Sequence, residues 1–183
     1  MPSSPNPRDS ALLIRAAAFA AERHRRQRRR DAEASPYINH PIALADVLAN
    51  EGGIDDPVVL CAALLHDTIE DTETTAAEIE AAFGPRIAAV VIEVSDDRGL
   101  SKSERKRLQI EHAARASREA QWVKLADKIC NLRDLLAAPP QDWPPERKRE
   151  YFAWSAQVVA GLRGAHPTLE AVFDGLLARV DEL

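Results

Sequence analysis

The sequence predicts an all-α fold, and three features of the chain support this expectation. Apolar residues recur at helical spacing in most segments, capping residues and prolines mark helix starts, and no segment shows the alternation typical of a strand. With 183 residues and 45% hydrophobic content, the chain is long enough to form one compact domain. We therefore predict a single helical bundle of about eight or nine helices.

Composition excludes several classes of protein. A net charge of −5 argues against a general nucleic-acid coat. No apolar run approaches the roughly 20 residues of a membrane span, and Met1 to Ser10 are too polar for a secretory signal. Cys61 and Cys130 lie in separate apolar helical patterns, which is typical of small buried residues and not of a disulfide. We expect a cytoplasmic protein whose partner is a small molecule, neither nucleic acid nor membrane; the sequence leaves its oligomeric state open.

The N-terminal segment is predicted to be a tail followed by the first helix. Residues 1–8 contain three prolines, so we expect a flexible tail there and the folded domain over 9–183. Asp9 or Ser10 is the expected N-cap of the first helix. Apolar spacing extends this helix toward about Arg28.

The second and third helices begin at recognisable signals. Asn39 is the expected cap of the second helix, with Pro41 in its first turn, and the glycine pair 52–53 ends it. Asp56 and Pro57 open the third helix, which is apolar on most sides. A helix of this kind belongs at the centre of the fold.

Further helices follow from capping boxes at Thr75 to Glu78 and Ser101 to Glu104. Gly84 and Pro85 separate two of these helices. The run Val90-Val91-Ile92 could form a strand, but helical spacing decides for a helix. The charged helix after the second box is expected to end near Ala116.

A long helix is predicted from Ser117 onward, and a proline pair stops it. Asp127, Asn131 and Asp134 share one of its faces, at spacings of four and three residues. Two more helices complete the bundle, the last opening at Pro167.

The strongest candidate for a functional stretch is Leu64-Leu65-His66-Asp67-Thr68-Ile69-Glu70-Asp71, at the end of the apolar helix. On a continuous helix His66 and Glu70 share a face, as do Asp67 and Asp71. Ionisable groups beside apolar residues lose hydration unless they are paired or bind a metal. A His-Asp pair alone is more often an ordinary polar surface feature.

Two residues elsewhere could complete a metal site. His40 lies at a helix entrance and Asp127 on a polar helix face, so with His66 and Asp67 they supply two imidazoles and two carboxylates. Such a set suits manganese, iron or zinc, and its oxygen share favours manganese. The spacing along the chain does not by itself show that the four residues meet.

A basic run follows the first helix. Its members are Arg23, Arg25, Arg26, Arg28, Arg29 and Arg30. For Arg23, Arg25 and Arg26 a solvated face that complements the helix dipole is the better interpretation. For Arg29 and Arg30, next to a loop, phosphate binding is a serious alternative.

Three separated motifs resemble a known family. Tyr37-Ile38-Asn39-His40-Pro41, the stretch from Leu64 to Asp71, and Leu125-Ala126-Asp127-Lys128-Ile129-Cys130-Asn131-Leu132-Arg133-Asp134 are similar to motifs of the HD-domain hydrolases in the RelA/SpoT homologue group. The likeness is greatest to the stand-alone small alarmone hydrolases that resemble the animal enzyme. It covers roughly Ala11 to Leu162.

This resemblance implies an HD-domain helical fold and manganese-dependent removal of the 3′-pyrophosphate from guanosine tetra- or pentaphosphate. The implied metal ligands are His40, His66, Asp67 and Asp127. Glu70 and Asp71 become the acidic pair that positions and activates water.

The resemblance also implies a set of substrate-binding residues. They are Arg29, Arg30, Lys102, Asn131, Arg147 and Tyr151. In the family, one residue of the basic pair stacks on the base and the other approaches phosphate. Asn131 and Tyr151 match positions along the sugar and base, and Lys102 and Arg147 could meet the outer phosphates. Each of these last four also has a surface or packing explanation.

Departures and alternatives remain. Long family members carry a synthetase domain after the hydrolase, whereas this chain ends at Leu183, so we expect degradation of alarmone without synthesis. Cys130 stands where the family often has an aromatic residue or histidine. Other HD phosphohydrolases act on a deoxynucleotide, a cyclic nucleotide or the 2′-phosphate of NADPH. A nucleotide-binding module without turnover is the non-enzymatic alternative.

Overall fold

The computed structural model describes residues 7–183, and these residues form an all-α bundle. Its helices are α1 (Pro7–Arg23), α2 (Asn39–Asp46), α3 (Pro57–Leu65), α4 (Thr68–Asp71), α5 (Ala76–Phe83), α6 (Pro85–Val94), α7 (Lys102–Ala113), α8 (Arg118–Ala137), α9 (Pro145–Ala160) and α10 (Pro167–Leu177). A π-helical turn, Val47–Glu51, continues α2, and a 3-10 turn, Val180–Glu182, follows α10. Because α3 and α4 are separated only by His66 and Asp67, they can be counted as one interrupted helix, which confirms the predicted fold class.

Helix α3 lies at the centre of the bundle, as predicted. It packs against α1, α2, α6 and α8, and its residues from Val59 to Leu65 are all buried. Asp56 caps its start by accepting a hydrogen bond from the Val58 amide at 2.8 Å, and Pro57 is its first residue. The carboxyl end of α3 therefore delivers His66 and Asp67 into the interior.

Helix α8 forms the second wall of the core. Leu125, Ile129 and Leu132 are fully buried, and the helix packs against α2, α3, α6, α9 and α10. Its other face carries Asp127 and Asn131 toward the end of α3. None of the helices in the described part of the chain combines the length and apolar character that a membrane crossing requires.

The bounds of α1 differ from the prediction at both ends. The helix begins at Pro7, so it includes Pro7 and Arg8, which the sequence predicts to be part of the tail. Asp9 and Ser10 lie inside the helix, so neither is its N-cap. Residues 1–6 of the predicted tail lie outside the described residues. Pro fits the first turn of a helix because its missing N–H is unpaired there in any case.

At its other end α1 stops at Arg23 and does not reach Arg28. The chain turns at His24, whose side chain is buried. Arg28 then pairs with Pro36 in an isolated antiparallel bridge. The predicted extension of α1 to Arg28 is therefore wrong, because the turn at His24 depends on tertiary packing and not on local spacing.

Two other expectations about helix ends were wrong. Asn39 is the first residue of α2 and not its cap; Ile38 occupies the cap position without a side-chain hydrogen bond. Helix α7 ends at Ala113, before the expected Ala116. Both predicted capping boxes are present, from Thr75 to Glu78 and from Ser101 to Glu104.

The predicted continuous helix through His66 and Asp67 is interrupted. The Thr68 hydroxyl donates to the Leu65 carbonyl at 2.6 Å, and Asp67 has φ −93 and ψ −2. A threonine hydroxyl that bonds a nearby carbonyl competes with the regular helical ladder. Helix α3 therefore ends at Leu65, and α4 starts again at Thr68.

Candidate metal-dependent active site

The His66 ring is held so that one nitrogen is available to a ligand. Its Nδ1 lies 2.8 Å from the Ala63 carbonyl, which can only accept, so Nδ1 carries the hydrogen. The other nitrogen, Nε2, is buried and has no hydrogen-bond partner among the described residues. It nevertheless lies 2.8 Å from Asp67 Oδ2. Two electron-pair donors in this arrangement fit a shared cation.

His40 brings a third donor to this point from α2. Its ring centroid is 5.3 Å from that of His66. One ligand atom from each of His40, His66 and Asp67 lies within 4.8 Å of the others, which makes the three a group able to hold a metal ion. Burial opposes ionisation of Asp67, but the positive charge of His66 in its protonated form lowers the pKa of this carboxyl to about 2. An anionic oxygen and two imidazoles suit a divalent transition metal.

Asp127, the fourth predicted ligand, adjoins the group through His40, with Oδ1 3.2 Å from His40 Nε2. Both its oxygens also accept hydrogen bonds, Oδ2 from Lys128 Nζ at 2.9 Å and Oδ1 from Asn131 Nδ2 at 2.7 Å. Burial favours the neutral acid, but the Lys128 ammonium holds the pKa of Asp127 well below its ordinary value. Lys128 is itself buried. Sequence reasoning missed this lysine, since its position on the polar side of α8 indicated exposure.

Glu70 is fixed by two donors. Its Oε1 accepts from Arg105 Nη1 at 2.9 Å and its Oε2 from the Asp96 amide at 3.1 Å. Burial raises the pKa of Glu70 to about 7; the Asp96 amide opposes this shift, while the charges of Asp96, Asp67 and Asp71 add to it. A carboxyl with this pKa exchanges a proton near neutral pH. Arg105 and Asp96 had not been singled out from the sequence.

Asp71 and Asp67 receive support from the loop between α1 and α2. Gln27 Nε2 donates to Asp71 Oδ2 at 2.8 Å, and the Tyr37 hydroxyl donates to Asp67. Burial and the negative charge of Asp67 raise the pKa of Tyr37, so the phenol keeps its proton. No motif or spacing in the sequence pointed to Gln27, and Tyr37 appeared only as part of a motif.

Two neighbouring cavities contain the candidate residues. The first, which we call the acidic cavity, has a volume of about 220 Å³ and is lined by Tyr37, His40, His66, Asp67, Glu70, Asp71, Val94, Gln109, Val123, Lys124, Asp127, Lys128, Asn131, Tyr151 and Trp154. The second, the arginine cavity, has a volume of about 150 Å³ and is lined by Arg29, Arg30, Asp31, Asn131, Asp134, Leu135, Ala138, Pro140, Trp143 and Tyr151. Asn131 and Tyr151 line both cavities, which are therefore adjacent.

All six predicted metal and acidic residues line the acidic cavity. Of the predicted substrate-binding residues, four line the arginine cavity: Arg29, Arg30, Asn131 and Tyr151. Lys102 is exposed at the start of α7, and the Arg147 guanidinium lies 4.3 Å from the centroid of the Trp143 ring. Neither Lys102 nor Arg147 is part of the lining of the two cavities.

The other arginines of the basic run remain on the surface. Arg23 pairs with Glu78 at 2.9 Å, and Arg25 pairs with Glu22. Arg26 is exposed. These positions agree with the interpretation of a solvated face.

The helical fold and the grouped histidine and aspartate side chains define a hydrolase domain of the HD type. The HD domain family matches residues 16–171, and the chain belongs to this family. The HD-domain assignment implied by the three motifs is thereby confirmed. HD hydrolases imply a divalent metal, for which His40, His66 and Asp67 provide a possible site.

More particular relatives are the proteins named guanosine-3′,5′-bis(diphosphate) 3′-pyrophosphohydrolase MESH1. The Xenopus tropicalis protein is 55% identical over 166 residues, which cover 91% of this chain and 93% of the relative. The Homo sapiens protein is 56% identical over 162 residues, which cover 88% of this chain and 90% of the relative. A solved structure, described as a metazoan orthologue of SpoT that hydrolyses ppGpp, superimposes with a TM-score of 0.93 at 44% identity, covering 98% of this chain and 100% of the other.

Proposed function

We propose that this protein hydrolyses guanosine tetra- and pentaphosphate, releasing the 3′-pyrophosphate and leaving GDP or GTP. The observation that carries the proposal is the 55% identity, over 91% of the chain, to a protein named for this activity. The acidic cavity supports it, because metal ligands and two further carboxylates line one space beside a cavity with two arginines.

We propose His40, His66, Asp67 and Asp127 as the protein ligands of the metal. Manganese is the proposed ion, since magnesium prefers oxygen ligands and two of these four are imidazoles. When bound, such a cation supplies Lewis acidity, which acidifies water and polarises a phosphoryl oxygen. The chain's contribution is to hold the ligands before the cation arrives, through the Ala63 carbonyl behind His66 and the Lys128 ammonium behind Asp127.

We propose that Glu70 accepts the proton of the attacking water and that Asp71 orients this water. A pKa raised to about 7 gives Glu70 an acceptor strength matched to neutral pH. Arg105 and the Asp96 amide restrict rotation of the carboxylate, so a water on its cavity side meets a fixed acceptor. Positioning of this kind lowers the entropic cost of the reaction.

The arginine cavity is the proposed site for the guanosine part of the substrate. Arg29 and Tyr151 offer a planar guanidinium and a ring to the base, and Asn131 offers an amide to the sugar. Arg30 is proposed to approach phosphate, and Lys102 and Arg147 to meet the outer phosphates. We place the protein in the cytoplasm, a proposal that the two buried free cysteines support.

The test is metal-dependent product release from a panel of nucleotides. Metal-stripped protein, reloaded with manganese or magnesium, is incubated with ppGpp, pppGpp, NADPH, a deoxynucleoside triphosphate and a cyclic nucleotide. We expect pyrophosphate and GDP in equal amounts from ppGpp, with manganese more effective than magnesium. His66→Ala, which lacks one ligand, serves as the control for contaminating activity.

Two results would contradict the proposal. Orthophosphate release from NADPH, without pyrophosphate release from ppGpp, would assign the site to the 2′-phosphate of NADPH. Tight nucleotide binding without turnover of any compound would indicate the non-catalytic binding module.

A further inference from the structure

We propose that Gln27, held by the buried imidazole of His24, is a positioning residue that fixes the Asp71 carboxylate at the edge of the acidic cavity. The inference deepens the proposed function and rests on it, because it takes Asp71 as the group that orients water. It assigns a role to two residues outside the metal ligands and the acidic pair.

Three side chains form a directed chain of hydrogen bonds. His24 Nδ1 lies 2.7 Å from Gln27 Oε1, and Gln27 Nε2 donates to Asp71 Oδ2 at 2.8 Å. An amide oxygen can only accept, so His24 Nδ1 must carry the hydrogen. The amide of Gln27 is therefore locked with its oxygen toward His24 and its nitrogen toward the carboxylate.

The His24 end of this series of hydrogen bonds is rigid. The His24 side chain is 2% exposed, and its ring lies 4.9 Å from the Tyr37 ring at an interplanar angle of 36°. The backbone is fixed as well: the Gln27 amide donates to the His24 carbonyl at 2.8 Å, and the Tyr37 amide donates to the Gln27 carbonyl at 3.2 Å. Gln27 is thus fixed at both ends of its backbone and at its side-chain oxygen.

Asp71 needs this support more than Glu70 does. Both oxygens of Glu70 have donors, from Arg105 and Asp96. Asp71 is exposed at the end of the four-residue helix α4, and Gln27 supplies the only hydrogen bond to its carboxylate within residues 7–183. Without Gln27 the Asp71 side chain would rotate among staggered conformers, and few of these would present an oxygen to the cavity.

The first test is a double-mutant cycle of Gln27→Ala and Asp71→Ala. We expect Gln27→Ala to lower kcat by about tenfold, with KM within about twofold and bound metal unchanged. In the Asp71→Ala background the same change should have no further effect, because its only route of action is gone. Gln121→Ala is the matched control, since Gln121 is a partly buried glutamine that donates to the Ala113 carbonyl outside both cavities.

The second test separates the hydrogen bond of His24 from its bulk. His24→Asn keeps an N–H donor near the position of Nδ1, whereas His24→Leu keeps most of the volume and removes the donor. We expect His24→Asn to retain most of the kcat and His24→Leu to match Gln27→Ala, with no further loss when both changes are combined. Thermal unfolding of each variant identifies any loss of kcat that reflects misfolding.

A third measurement does not depend on turnover. Nitrogen-15 NMR of the His24 ring should show the tautomer protonated at Nδ1, and the Nδ1 resonance should shift in Gln27→Ala but not in Gln121→Ala. An Nε2-protonated ring would overturn the proposal.

The cycle is measured with whichever nucleotide the parent hydrolyses fastest, so failure of ppGpp as substrate is visible in the parent alone. Additive effects of Gln27→Ala and Asp71→Ala, or a change confined to KM, would overturn the positioning role whatever the substrate. A parent that hydrolyses none of the nucleotides would overturn both proposals.

Discussion

The acidic cavity and the arginine cavity share Asn131 and Tyr151 but are built in different ways. The metal-binding group of the acidic cavity lies on α2 and at the end of α3, and α8 adds Asp127, so its side chains take their positions from helices packed in the core. The arginine cavity takes more of its lining from loops: Arg29, Arg30 and Asp31 precede α2, and Ala138, Pro140 and Trp143 lie between α8 and α9. Its remaining lining residues lie on helices: Asn131, Asp134, Leu135 and Tyr151.

This difference matches the demands that each region meets. Reacting groups must be held to within a fraction of an ångström, which packed helices and paired hydrogen bonds achieve. Recognition of a nucleotide tolerates the looser geometry of loops, which vary at little cost to the fold. We infer that the chemical step depends on the acidic cavity and that the arginine cavity governs affinity.

The largest expected effect follows removal of a ligand from the acidic cavity. His66→Ala should lose bound metal and lower turnover by about a thousandfold or more, because the remaining donors cannot supply the same coordination. Nucleotide affinity, which we assign to the arginine cavity, should change by less than about tenfold. Metal content, calorimetric binding and turnover are measured on one preparation.

His112→Ala is the control for this variant, since His112 is exposed on α7. Stoichiometric metal in His66→Ala would show that the ligand set is wrongly assigned.

The second prediction distinguishes the role of the acidic pair, Glu70 and Asp71, from that of the metal ligands. Glu70→Gln combined with Asp71→Asn should lower single-turnover hydrolysis by at least about a hundredfold while the fold and most of the metal remain. The changes keep side-chain size but remove the proton acceptor and the charge that orients water. Hydrolysis within a few-fold of the parent would reduce both residues to ordinary polar groups at a helix end.

An intermediate effect tests the other cavity. Arg29→Ala should raise KM by about tenfold and leave kcat within about threefold, because a stacking guanidinium contributes equally to ground state and transition state. Arg25→Ala is the matched control, an exposed arginine two residues before Gln27 that pairs with Glu22. A collapsed kcat with unchanged KM would place Arg29 in the chemical step and remove the distinction between the cavities.

Much of the fold could be predicted from the sequence because its signals are local. Capping boxes act within four residues, and Asp56 with Pro57 marks the start of α3 without reference to the rest of the chain. The end of α1 could not be predicted in the same way. It depends on the burial of His24 and on the pairing of Arg28 with Pro36, which are tertiary features.

The site was predictable where chemistry is concentrated in a motif. The motif shows four ionisable residues together at the end of an apolar helix: His66, Asp67, Glu70 and Asp71. Such groups lose hydration unless they are paired or bind a metal, so the sequence alone identifies them as candidates. Their supporting residues were missed because each donor comes from elsewhere in the chain, 44 residues away for Gln27 to Asp71 and 35 for Arg105 to Glu70. Lys128 was missed for another reason: a lysine beside an aspartate is usually exposed, and here it is buried with its partner.

The smallest expected effect concerns the pH dependence of the acidic cavity. Glu70 accepts a proton only when ionised, so turnover should rise with pH as this carboxyl loses its proton. Burial raises the pKa of Glu70 to about 7, so turnover should rise with a midpoint near neutral pH. The positive charge of a bound cation would lower this midpoint.

A substitution at Arg105 should shift this midpoint, because the Arg105 guanidinium lies 2.9 Å from Glu70 Oε1 and favours the ionised form of Glu70. Arg105→Gln should therefore shift the midpoint upward by about half a pH unit or more, with turnover at pH 8.5 reduced only a few-fold. Arg107→Gln is the control, since Arg107 lies on the same helix and pairs with Glu111 at 2.6 Å on the surface. A downward shift of the midpoint, or equal shifts in both variants, would show that the rise of turnover with pH reports a group other than Glu70. The proton acceptor of the reaction would then have to be sought among the remaining carboxylates of the acidic cavity.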